Sequence, residues 1–367
     1  MNVAQTKLCL AILAVLFLTT FAQAQSTESA HAAASQSVVT SLASLPEADT
    51  VIFLSPQKIL TEAAPKFMSP AELTKMRSDF ADLKKSIGID PASVDSFVLV
   101  ARFRKPSADL SFVPPDLLVV MSGDFSADSL LTTAGVFLQD RARSETYANK
   151  TLTIMKIDPI AEAAQKNPLL KSFAELGAVA INSNTLAVGN IEYLKAAVDA
   201  AAGNGRINGA AINSLMRDPN ALISMQGSPL TAFAKSFGML GTQAVPRESR
   251  CDTRFGDFYA AITMDASNFN LRGAMNADNP DTAKILHGLI SSLLQPALDS
   301  VPDKDAQKIL KAIRMSAKES EIVWEADVPQ ATVATIIQEQ LKPKKEPPAA
   351  SSTKPAATPK RRTRRKR

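Results

Sequence analysis

Apolar positions along this chain fall into short strand-like runs separated by longer stretches with a helical period. The first clear run, Val51-Ile52-Phe53-Leu54, enters Ser55-Pro56 and then a helical stretch. Serine before proline is a helix-start signal: the hydroxyl can accept from the first free N–H groups, and proline loses nothing at the first helical position. The arrangement returns at Ala221-Leu222-Ile223-Ser224-Met225, which continues through Gln226 and Gly227 to Ser228-Pro229. A pair of strands is predicted after each copy, at 95–104 and 116–122 in the first and at 257–265 and 269–276 in the second. In the first pair Phe97, Leu99, Ala101 and Phe103 recur at every second position, the period of a strand. Helices follow at 127–140 after Ser126 and at 280–298 after Asn279-Pro280. Strands near 178–182 and 185–189 then lead to a helix at 191–202, and strands near 313–318 and 321–328 lead past Pro329 to a helix at 330–341. Only the first half adds a strand at 146–157 and a helix from Asp158-Pro159 to 176.

This order predicts an α+β protein made of two tandem β-α-β-β-α-β-β-α repeats, each an antiparallel sheet with helices on one face. Such a unit resembles a ferredoxin-like sandwich with added elements. The repeat domains are expected at 46–205 and 206–341, with Gly203-Asn204-Gly205 and Gly209 supplying a linker within 204–219.

The two ends read differently. Lys7, an apolar run from Leu8 to Phe21 and Ala22-Gln23-Ala24 form the three parts of a secretory signal peptide over residues 1–24. That run is 14 residues long, short of the roughly 20 that span a bilayer, so cleavage, with no transmembrane span afterwards, is expected. Residues 25–45 lack sustained periodicity and read as a flexible leader. Residues 342–367 are rich in Lys, Pro, Ala, Ser and Thr, have almost nothing apolar to bury, and read as a disordered tail.

Charge separates the tail from the body. The tail holds 11 Lys/Arg and one Glu, whereas the body after cleavage holds 29 basic and 35 acidic residues, a net of about −6. The high pI therefore belongs to the tail, and a folded nucleic-acid-binding surface is disfavoured. The last eight residues contain seven cations: Lys360, Arg361, Arg362, Arg364, Arg365, Lys366 and Arg367. This run is the polyanion-contacting candidate. For an exported chain the matching partner is an anionic envelope polymer or lipid, held by salt-sensitive attraction.

Candidate chemistry is sparse. After cleavage Cys251 is the single cysteine, so an internal disulfide is excluded; it is a possible free thiol beside Arg250 and Arg254. His31 falls in the leader and His287 in a helical pattern, which leaves too few imidazoles for zinc sites or for Ser-His-Asp and Cys-His systems. Ser55-Pro56-Gln57-Lys58 matches the Ser-x-x-Lys nucleophile motif but lacks its Lys-Thr-Gly and Ser-Asp-Asn companions, and reads as a helix cap. The Gly203 to Gly209 cluster follows a helix rather than a strand and reads as a connector, not a dinucleotide loop. Asp79 with Asp82, or Glu319 with Glu321, could supply paired carboxylates for acid–base work. Asn149-Lys150-Thr151 fits the glycosylation pattern without meaning in a bacterial export context, Trp324 and Phe97 read as core, and an aromatic content of 5% disfavours surfaces that stack carbohydrate or single-stranded nucleic acid. No catalytic, metal-binding or cofactor-binding residue is assigned, and no cofactor is implied.

The opening Leu45-Pro46-Glu47-Ala48-Asp49-Thr50, running into an apolar strand, resembles uncharacterised signal-peptide-bearing secreted or envelope proteins of bacteria. That resemblance implies export and brings no activity or site residues with it. The expectation is a non-enzymatic, periplasmic or envelope-associated binding or scaffold protein whose body takes an unknown protein or small ligand. An exported carboxylate-dependent hydrolase without metal or histidine is the alternative, and a nucleic-acid-associated protein acting through the tail is a third reading.

Overall fold

The structure is a computed structural model, and it describes residues 41–42, 44–104, 114–138, 141–157, 174–227, 257–299 and 304–341. The signal peptide, most of the leader, Ser228-Pro229, the helix expected from Asp158, Cys251 and the basic tail lie outside the described residues.

Runs of strands are interspersed with helices, and all twelve described strands join one antiparallel sheet. They are β1 (Thr50–Leu54), β2 (Val94–Arg102), β3 (Asp116–Gly123), β4 (Ala142–Tyr147), β5 (Lys150–Lys156), β6 (Glu175–Asn182), β7 (Thr185–Gly189), β8 (Ile223–Gly227), β9 (Phe258–Met264), β10 (Asn268–Asn276), β11 (Arg314–Lys318) and β12 (Glu321–Pro329). Across the sheet the order is β11-β12-β10-β9-β8-β1-β2-β3-β7-β6-β5-β4. Separate sheets were expected; the short strands β1 and β8 instead pair with each other, Ile52 opposite Met225, and fuse the halves. The ferredoxin-like order is also corrected. A split β-α-β unit sets another strand between its first two, whereas β1 lies directly against β2, antiparallel, with Ile52 opposite Leu99.

Helices cover both faces. One face of the first half carries α1 (residues 56–67), α2 (Pro70–Ile87) and α3 (Ala127–Leu138); the other carries α4 (Ile191–Ala201), while α5 (Gly209–Leu215) packs on β8. In the second half α6 (Pro280–Asp299) lies on β11 and β12, followed by α7 (Lys304–Lys311) and α8 (Gln330–Leu341), which reaches the end of α1. The main core forms where Val51, Phe53, Val98, Val100, Leu118 and Val120 meet Tyr193, Leu194 and Val198 of α4. Phe97 and Leu99 point to the opposite, half-buried face, so the more apolar-looking half of β2 is the less buried one.

Local chemistry accounts for several boundaries. In α1 the segment Ile59–Ala63 is a π turn. Pro65 follows it; a proline ring crowds the carbonyl four residues earlier, and the wider turn relieves this. Ser69-Pro70-Ala71-Glu72 makes a complete capping box at the start of α2, with Glu72 N donating to Ser69 Oγ at 3.3 Å and Ser69 N donating to Glu72 Oε2 at 2.7 Å. Ser55, expected to cap α1, makes no side-chain cap; its N–H donates to Leu222 O at 2.9 Å and ties the helix start to the other half. The single strand expected at 146–157 is a hairpin, β4–β5, turning through Ala148 and Asn149 at φ 47° and 63°. Both lie in the left-handed region that a two-residue hairpin turn needs. The expected linker holds α5, with Asn208 capping Ala210 N at 2.8 Å.

The end of the leader is not free. Leu42 and Leu45 are fully buried in the main core, Ile207 N donates to Leu45 O at 2.8 Å, and Tyr193 Oη donates to Glu47 O at 2.9 Å. In the second half Trp324 lies flat across Gly273 of the neighbouring strand, and any Cβ there would come within 2.2 Å of the indole. Gly273→Ala should therefore displace Trp324 from its stack on Phe258 and cost about 1–3 kcal/mol, the range for overpacking. A chemical-denaturation midpoint equal to that of the unaltered chain would refute this.

Candidate functional site

The hairpin β4–β5 projects beyond the cover of α3 and leaves a trough of about 650 Å³ between helix and sheet. Strand alternation builds its floor: Leu152 and Ile154 turn into the main core, so Thr151 and Thr153 turn the other way, beside Ser144 and Ala142 of β4 and Ala180 and Asn182 of β6. The wall is α3, placed by Ala127 N donating to Ser183 O at 2.9 Å and by Leu130 packing on Met121, Ala180 and Leu186. Asp128, Leu131, Thr132 and Gly135 line that wall, and Asn149 and Lys150 line the hairpin end.

Nine of the thirteen lining residues carry hydroxyl, amide or charged groups, and Asp128 and Lys150 cancel in charge. The surface offers donors and acceptors with no dominant sign and no aromatic ring. Gly135 adds a steric feature. It sits inside α3 with ordinary helical φ, and nothing lies within 4 Å of a Cβ built there. An interior helix glycine costs about 1 kcal/mol relative to alanine, and neither packing nor backbone conformation explains this one.

A second polar cluster lies near the start of α4. Asp116, 2% exposed, accepts from Arg102 Nη2 at 3.0 Å and from Arg104 Nε at 2.7 Å and its Nη2. The Arg102 guanidinium also lies 4.6 Å over the Tyr193 ring. Bonding to Asp116 raises the Arg104 pKa, and burial raises that of Tyr193. Asp49, whose Oδ2 accepts from Phe103 N at 2.7 Å, stands close by with Glu47 and Glu192. Carboxylates outnumber the two guanidiniums, so this cluster ties elements together rather than trapping an anion.

The residues singled out from sequence do not converge on these sites, with one exception. Lys58 donates to Pro219 O at 2.6 Å, and burial lowers its pKa; it joins the two halves rather than activating Ser55. Asp79 pairs with Lys75 at 2.8 Å on exposed α2, and Glu321 pairs with Arg217 at 3.5 Å beside a turn through Glu319. His287 Nε2 lies 3.3 Å from Met315 O on the β11 side of α6. Among the described residues no three His, Cys, Asp or Glu side chains are placed to share a metal ion. Gly203 to Gly209 forms the turn into α5. The exception is Asn149-Lys150-Thr151, dismissed as a glycosylation pattern, which lines the trough. The alternation of Thr151 and Thr153 with Leu152 and Ile154 was the available signal, hidden by reading the hairpin as one strand.

No protein-family model matches the chain, and no curated protein matches it. Among solved structures it is similar to TP0453. Crystal form III superposes with a TM-score of 0.42 at 10% identity over 81% of this chain and 97% of that one. Crystal form I gives 0.40 at 9% identity over 81% and 96%.

Proposed function

We propose that this is an exported, non-catalytic envelope protein that binds a polar ligand in the trough and is tethered by its tail to an anionic envelope surface. The observation that carries the reading is the trough, whose lining is rich in hydrogen-bonding groups and balanced in charge, and whose wall is left open at Gly135. Sites for apolar ligands are lined mainly by apolar side chains, and this one is not.

The body is read as a duplicated unit. Its two halves run β1-β2-β3-β7-β6 and β8-β9-β10-β12-β11 outward from the β1–β8 seam. Helices α3 and α6 support the duplication residue by residue. Ser126 Oγ accepts from Ser129 N at 3.2 Å where Asn279 Oδ1 accepts from Thr282 N at 2.8 Å. Counting from those caps, Asp128 matches Asp281, buried Leu130 matches buried Ala283, Gly135 matches Gly288, and exposed Val136 matches exposed Leu289. Two domain-sized copies, 46–205 and 206–341, thus share one sheet in this reading, and among the described residues the inserted hairpin that makes the trough occurs in the first copy alone.

Retention of the full chain on envelope fractions tests both contacts. Removing 342–367 should abolish the part of retention lost at high salt, and Gly135→Trp, which fills the trough, should lower the salt-resistant part. Equal retention of all three proteins at both salt concentrations would overturn the reading.

A further inference from the structure

We infer that the trough takes a short neutral saccharide chain, one ring of which lies against the α3 backbone at Gly135. This rests on the reading of the trough as the ligand surface. The wall from Asp128 to Gly135 spans seven helical steps, about 10 Å, which suits a short oligosaccharide and is too long for a single small ion. Ser144, Thr151 and Thr153 present hydroxyls that both donate and accept, and Thr132, whose Oγ1 donates to Asp128 O at 2.9 Å, can still accept, which matches a ligand whose own groups are hydroxyls. A phosphorylated or otherwise polyanionic ligand would meet one lysine and be opposed by Asp128. An extended peptide would need pockets for alternate side chains, and only Leu131 offers a large apolar contact.

Gly135 has a matching glycine in the second half. Its counterpart Gly288 also has nothing within 4 Å of a built Cβ, but Gly288 does not line the trough. The chain therefore contains its own control: the same substitution at matching places in two helices, only one of which faces the trough.

The test titrates the full chain with N-acetylglucosamine trimer by calorimetry, alongside Gly135→Ala, Gly288→Ala and Thr153→Val. Both glycine variants should melt about 2–4 °C higher, because alanine favours the helix, which separates lost binding from lost folding. Gly135→Ala should bind about ten-fold more weakly, about 1.4 kcal/mol, while Gly288→Ala binds as the unaltered chain does. Thr153→Val, which removes one hydroxyl, should also weaken binding. Equal affinity of all four proteins puts the sugar elsewhere and overturns the proposal, and so does absence of binding to the unaltered chain. In either case retention of Gly135→Trp on envelope fractions settles what else falls. Lowered retention leaves the trough as a site for another ligand, and unchanged retention removes the trough reading as well.

Discussion

Replacing Asp116 by alanine should lower stability by about 2–3 kcal/mol, read as a shifted urea midpoint with unchanged slope. Asp116 is almost fully buried, and two guanidiniums converge on its oxygens. Removing one partner of a fully buried ion pair costs about 3–5 kcal/mol, because the remaining charge keeps its desolvation penalty. The figure is reduced here because the Arg102 and Arg104 side chains are 36% and 48% exposed and can recover water. Arg104→Ala should cost about 1 kcal/mol and Arg102→Ala somewhat more, since Arg102 also gives up its place over Tyr193. A loss in Asp116→Ala no larger than in Arg104→Ala would show that the carboxylate is only a surface partner. The cluster matters to the fold because it joins β2, β3, α4 and the chain entering β1.

Element order was legible in the sequence wherever a local signal was strong. Strand β7 lies at its predicted residues, and α8 spans its predicted 330–341, because turn and start signals bound them on both sides. What was illegible depended on partners distant in sequence. Nothing in Val51-Ile52-Phe53-Leu54 announces that its open edge pairs with Ile223–Gly227, since both strands are short and either could have ended a sheet. The hairpin at 142–156 was hidden because Ala148 occupies a left-handed turn position usually given to glycine or asparagine. Missing that turn concealed the trough, whose hydroxyls share a face only when β4 folds back on β5. The burial of β2 was misread for a related reason. Phe97 and Leu99 are larger than Val98 and Val100, but the smaller pair faces α4, and packing decides burial.

Leu42→Ala and Leu45→Ala should each lower stability by about 3 kcal/mol, within the range for a leucine emptied from a filled core. A chain starting at Pro46 should lose more than either. By composition these residues belong to a polar, unpatterned leader, yet both side chains are at 0% exposure among Val51, Val98, Val100 and Tyr193. The segment also brings a hydroxyl into the core. Ser41 Oγ donates to Ser122 Oγ at 2.9 Å, and Ser122 lies 2.6 Å from Ser96 Oγ, so three buried hydroxyls satisfy one another across the leader, β2 and β3. Truncation removes one member and leaves a buried hydroxyl short of a partner, a further cost of about 1–3 kcal/mol if water does not enter. The losses share neighbours and will not sum, but the truncated chain should fall below both single variants. Equal urea midpoints for the truncated and unaltered chains would return these residues to the flexible leader. A drop of the expected size would instead make residues 41–48 a structural strap: its two leucines close the core beneath α4, and its backbone bonds to 205–207 hold the turn into α5 against the first half.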